Sequence, residues 1–152
     1  MRISIILVCL PLLAAADTKS PEELLQKGEY FFERGDLNTA VKFYDKVLAH
    51  PMSRVAEYAQ YKRGWAMYNL ADYDEALADF AGVARGIDGK LAAQARRDAV
   101  LPYARVGKPA KARAFFSYIG RDEVDDLMHR LADAYRGAGK MDDCRALGDA
   151  CN

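Results

Sequence analysis

Gly28-x-x-Phe31-x-x-x-Gly35-x-x-x-x-Ala40-x-x-x-Tyr44 decides the fold, because the same frame returns along the chain. It recurs as Gly64-x-x-Met67-x-x-x-Ala71-x-x-x-x-Ala76-x-x-x-Phe80 and again as Val100-x-x-Tyr103-x-x-x-Gly107-x-x-x-x-Ala112-x-x-x-Phe116. A worn copy runs Ala132-x-x-Tyr135-x-x-x-Gly139-x-x-x-x-Cys144-x-x-x-Gly148. Ala40, Ala76 and Ala112 are each 36 residues apart, and Cys144 follows Ala112 by 32. A fixed period of this length marks one supersecondary unit repeated and stacked on itself.

Each copy reads as helix, turn, helix. Ser20-Pro21 is a cap followed by a first-turn proline, and Leu24, Leu25, Gly28, Phe31 and Phe32 then place small and apolar groups at helical spacing. Gly35-Asp36 ends this helix A, and Ala40, Val41, Tyr44, Val47 and Leu48 form the apolar stripe of helix B. Gly28, Gly64 and Ala132, with Ala40, Ala76 and Ala112, allow helices to approach, and Tyr44, Phe80 and Phe116 fill the space beside them.

This pattern resembles the tetratricopeptide repeat, whose unit has small residues at positions eight and twenty, Gly near fifteen, aromatics near eleven and twenty-four, and often Pro near its end. With units starting at Pro21 and Glu57, the matching residues are Gly28, Phe31, Gly35, Ala40, Tyr44 and Pro51, then Gly64, Tyr73, Ala76 and Phe80; a third unit starts at Ala93. The resemblance implies an all-α fold, a right-handed α-solenoid of antiparallel helix pairs. Three clear repeats cover about 21–52, 57–88 and 93–124, and a short, degenerate fourth covers 125–152, together forming one array over 17–152. Val100, Pro102 and Gly148 depart from the pattern. Pro102 predicts a kink in the third helix A, and Gly148 a short last helix that acts as a cap.

The resemblance also implies a partner site on the concave face lined by the A helices. Carried across position by position, it selects Glu29 and Phe32 from the first repeat. The second contributes Tyr58, Tyr61, Lys62, Trp65, Tyr68 and Asn69, and the third Arg97, Leu101 and Arg105. An acidic wall is thus expected to face a partly basic one across an aromatic strip. Tyr58 and Tyr68 serve equally well as binding anchors or as wedges between repeats, while Tyr61 and Trp65 are favoured as anchors. The clamp that some members use for a C-terminal carboxylate is absent, since its positions hold Leu25, Glu29, Lys62, Gln94 and Asp98.

Basic and acidic residues number 22 each, which gives no general attraction to nucleic acid or to an anionic membrane. Arg2, an apolar run over 3–13 and Ala14-Ala15-Ala16 have the layout of a cleavable export signal, with residues 1–16 removed. The run is too short for a membrane span of about 20 apolar residues. Val8 before Cys9 and the apolar residues after it argue against lipidation. A periplasmic or secreted location is therefore expected, and by architecture alone a signal on so small an array resembles the envelope-associated members of the family, of the outer-membrane assembly, pilus or gliding-motility type.

Cys144 and Cys151 then remain. On one continuous helix their Cα atoms would sit roughly 10 Å apart, beyond the bonding limit of about 7 Å. Either the helix breaks, with Gly148 as the place, and a disulfide forms, or the two are small apolar packers.

No catalytic constellation is visible. His50 and His129 lie two repeats apart without metal-ligand spacing, and Gly137-Ala138-Gly139-Lys140 lacks the first Gly and the Ser or Thr of a phosphate loop. Asp125-Asp126 and Asp142-Asp143 suit the starts of helices. The expected function is a non-enzymatic scaffold for a protein or peptide partner, without a cofactor, metal or small-molecule substrate. The alternative is an architectural subunit that stacks through its ends.

Overall fold

The computed structural model describes residues 19–151. The expected signal over 1–16, with Cys9, lies outside the described residues. Helix pairs follow one another: α1 (Pro21–Glu33) with α2 (Leu37–Leu48), and α3 (Ala56–Asn69) with α4 (Tyr73–Ala84). The third unit has a divided first helix, α5 (Gly89–Asp98) and α6 (Val100–Val106), followed by α7 (Ala112–Gly120). The last has α8 (Val124–Gly137) and the short α9 (Met141–Arg145). Helices pack mainly on their sequence neighbours, with α6 also lying against α4 and α8, which makes the fold an all-α solenoid, and no strand occurs among the described residues.

Local chemistry sets the boundaries. Ser20 and Glu23 form a reciprocal capping box, the Glu23 amide donating to Ser20 Oγ at 3.2 Å and the Ser20 amide to Glu23 Oε2 at 3.1 Å. Asp36, Asp72 and Asp88 each cap the helix that follows. The Asp88 cap starts α5 at Gly89, ahead of the expected start of the third unit at Ala93.

Two of the A-to-B turns put glycine in the left-handed region, Gly35 at φ 77° and Gly139 at φ 70°. The second puts Ala71 there, at φ 63°. An L-residue pays about 1–2 kcal/mol for that conformation, partly offset by the extra chain entropy that glycine loses. Ala71→Gly is therefore expected to raise the unfolding free energy by about 0.5–1 kcal/mol, seen in urea as a higher midpoint at unchanged slope; a lower midpoint would contradict it. The third turn is built differently. Gly107 leaves α6 in extended backbone, φ −72° and ψ 155°, and Pro109 opens a 3₁₀ turn into α7.

Pro102 acts as expected. It has no N–H to donate to the Asp98 carbonyl, and the helix divides at Ala99, one turn earlier. The small-beside-large frame is physically tight: a Cβ on Gly28 would sit 2.5 Å from Tyr44 Cε1, and one on Gly64 3.0 Å from Phe80 Cε1.

The buried interior falls into two clusters. One joins α1, α2 and α3 through Leu24, Tyr44, Val47, Ala59 and Ala66. The other runs from Ala76 and Phe80 of α4 to Cys144 and Ala150. Between them, Arg63 of α3 donates to buried Asp79 of α4 through Nε at 2.9 Å and Nη2 at 2.6 Å, and to Asp45 of α2 through Nη1 at 2.7 Å.

The chain closes on itself after α9. Gly148 turns at φ 67°, and a disulfide joins Cys144 to Cys151 across a Cα separation of 5.4 Å. Of the two readings of these cysteines, the break at Gly148 is the one the chain adopts.

Candidate functional site

α3 is the centre of the face formed by the A helices, because Tyr58 reaches α1 and Tyr61 reaches α5. Tyr58, Tyr61, Trp65 and Tyr68 recur on one side of the helix and lie in a connected series. Tyr58 meets Tyr61 at 6.5 Å between ring centres, and Trp65 meets Tyr68 edge-on at 5.8 Å. The two pairs are joined through Phe80 of α4, 5.8 Å from Tyr61 and 5.4 Å from Trp65. Tyr68 continues to Tyr73 at 5.3 Å. All four rings are half-buried or exposed, Tyr58 the most open at 39%. They both wedge the repeats and present edges to solvent.

Two phenols tie α3 across the face. Tyr58 donates to Glu29 Oε1 of α1 at 3.2 Å, and Tyr61 donates to Asp98 Oδ2 of α5 at 2.7 Å. Burial and the Asp98 carboxylate push the Tyr61 phenol up to about 12. Burial, then Glu29, raises that of Tyr58. Burial likewise holds Tyr135 up to about 12 and pushes Tyr44 higher still. The hydroxyls of Tyr44 and Tyr135 are buried without a hydrogen-bond partner among the described residues.

A pH dependence follows. An unfolded chain releases these protons near a pKa of about 10, while the folded chain keeps them, so stability falls as pH climbs from about 10 toward 12. Each fully buried phenol contributes a loss of about 1.4 kcal/mol per pH unit in that window. Tyrosinate absorbance is expected to rise together with loss of helix by circular dichroism. Full ionisation near pH 10 with the helix intact would contradict this.

The other selected residues fall into three places. Lys62 lies over the Phe32 ring at 4.5 Å, joining α3 to α1. Arg105 lies over Tyr73 at 5.7 Å, while Asn69 ends α3 exposed. Arg97 and Leu101 line a cleft of about 530 Å³ between the divided helix and α8, together with Gln94, Asp98 and Arg130. Leu25 and Asp98, which the positional frame also places on this face, are both 8% exposed. Leu25 belongs to the core, and Asp98 is engaged by Tyr61 and by Gln94 at 3.0 Å.

Sequence reasoning missed Phe80 as the ring that joins the strip, although an aromatic recurs at its position in three copies of the frame, as Tyr44, Phe80 and Phe116. It also missed the Arg63–Asp79 pair. A usable signal was present, since Asp79 sits on the same helical stripe as Ala76, Phe80 and Val83, and a buried carboxylate needs a cation.

The Gly137–Lys140 segment is the turn between α8 and α9. Lys140 Nζ is committed to the Ala104 carbonyl of α6 at 2.8 Å. No group of His, Cys, Asp or Glu able to hold a metal occurs among the described residues, and none of their helices is long and apolar enough to cross a membrane.

Residues 58–85, which are α3 and α4 with their turn, match the family model of the tetratricopeptide repeat. The comparison with curated proteins finds no match.

Proposed function

We propose that this array of tetratricopeptide-type helix pairs is an exported adaptor that holds an extended or helical segment of another protein on its concave A-helix face. The observation that carries the reading is the aromatic series of α3, four rings joined through Phe80 of α4 and flanked by Glu29 on one side and Arg97 on the other. Large amphipathic rings held by their neighbours offer contact area at little further entropic cost. The repeat family is generally a scaffold rather than a catalyst, which agrees with a binding role.

Export is supported by the signal-like residues 1–16 and by the Cys144–Cys151 disulfide, since such bonds persist in oxidising compartments. A role within a cell-envelope assembly fits both.

The test is affinity capture from an envelope extract, comparing the chain with its Tyr61→Ala, Trp65→Ala double variant. A partner recovered by the parent and lost by a folded variant supports the adaptor; equal recovery removes the groove from consideration.

One feature favours a second reading, association through the first hairpin. Phe31 stacks on Phe43 at 5.5 Å, and the neighbouring Tyr30 is 50% exposed. Sedimentation that stays monomeric at every concentration would exclude self-association through that face.

A further inference from the structure

We infer that the cleft between the divided helix α5–α6 and α8 receives an acidic side chain next to an apolar one on the partner segment. The inference rests on the groove reading above and adds the chemistry of the segment.

By composition the cleft is balanced, with Arg97 and Arg130 against Asp98 and Asp133. What matters is which of these charges are already satisfied. Asp133 accepts from Arg136 Nη2 at 2.6 Å. Asp98 is almost wholly buried and accepts from Tyr61 and Gln94. Each acid of the cleft thus already accepts a hydrogen bond. Arg97, in contrast, is exposed and has no ion pair, hydrogen bond or ring contact among the described residues. Arg130 gives its Nε to Asp126 at 2.6 Å, and neither Nη makes a bond among the described residues.

Guanidinium donors left unfilled beside acids that already accept bonds complement a carboxylate. A lysine or arginine brought to the same place meets two cations and only acids that already hold a donor. Leu101, 37% exposed on the far side of the break at Ala99, supplies an apolar contact one helical turn from Arg97. A carboxylate could come from a Glu or Asp side chain or from a chain terminus. A side chain is the source that fits the groove reading, in which the segment runs on along the A helices toward α3.

The test uses three tetrapeptides and amide chemical-shift mapping of the folded chain. The first is acetyl-Glu-Leu-Glu-Leu-amide, with no free terminus. The second replaces Glu by Lys, and the third replaces Glu by Gln and leaves the terminal carboxylate free. The expected result is shifts at 94–101 and 130–134 with the first peptide and none with the second. Added salt weakens the binding, and Arg97→Gln with Arg130→Gln reduces it by about tenfold or more. Both arginines are exposed, so the variant keeps its helical spectrum and thermal midpoint.

Shifts with the third peptide alone would overturn the side-chain assignment. Equal shifts with Glu and Lys, an unaffected double variant, or no shifts with any peptide would overturn the inference as a whole. Shifts confined to the amides around Tyr58 and Trp65 would overturn it while leaving the groove in place. Loss of the groove itself is read separately, from the capture experiment.

Discussion

Replacing Arg63 with Ala is expected to lower the unfolding free energy by about 3–5 kcal/mol, because it strips the cation from a buried carboxylate. Asp79 is 1% exposed, and its partners are the two bonds from Arg63 and a longer one from Gln60 Nε2 at 3.4 Å. Burial raises the pKa of Asp79 even with Arg63 opposing the shift. Without the guanidinium the carboxylate either stays charged in a poor solvent or takes a proton.

The sign of the pH effect follows. A carboxyl whose pKa is raised on folding destabilises the fold while it is ionised, and it ceases to do so as pH falls through its folded-state value. The loss in the variant is thus greatest at neutral pH and smaller in mild acid. Urea titrations at the two pH values check this, and a loss under about 1 kcal/mol at neutral pH would contradict the premise. Arg63→Met with Asp79→Leu is expected to recover most of the loss, because apolar residues of similar volume replace both charges.

Arg63→Ala should also loosen the chain's cooperativity. The pair spans α2, α3 and α4 between the two buried clusters, so its removal weakens their coupling. Tyrosine and tryptophan probes are then expected to separate in their unfolding transitions.

Phe80→Ala is the other large change, also about 3–5 kcal/mol for a wholly buried ring. The ring fills the space that Gly64 leaves open and supports both Tyr61 and Trp65. Its loss removes the contact area and leaves a cavity that rigid neighbouring helices close only in part. Trp65 reports the change directly: its emission is expected to move to longer wavelength in the folded variant as water reaches the indole. An unchanged emission maximum with full stability would mean that the strip does not depend on Phe80.

The fold was legible because its packing code is local and repeated. Gly28 beside Tyr44 and Gly64 beside Phe80 are visible as spacings, and their contacts follow directly. Pro102 and Gly148 were legible for a related reason, since each acts through its own backbone, one by lacking a donor and the other by tolerating positive φ. Alignment of a repeat on itself compares equivalent positions, though, and treats them as equal. It could not show that Ala71 is forced into the conformation of Gly35, or that Gly107 turns in extended backbone.

The site was legible as a surface but not as a set of available charges. Arg97 and Asp98 are neighbours in sequence, yet one is exposed and without a partner among the described residues while the other is buried and doubly bonded. That difference depends on Tyr61 reaching across from another repeat, a contact that no spacing within a repeat encodes.

The two phenol bonds of α3 give the array a mechanical character. A solenoid bends like a spring, and opening its A-helix face means drawing α1, α3 and α5 apart. Tyr58 to Glu29 and Tyr61 to Asp98 run across that direction of travel, at 3.2 and 2.7 Å. They act as tethers added to the packing of α3 on α2 and of α4 on α5. A cargo that widens the groove must stretch both, and each adds about 1 kcal/mol or somewhat more to the work of opening.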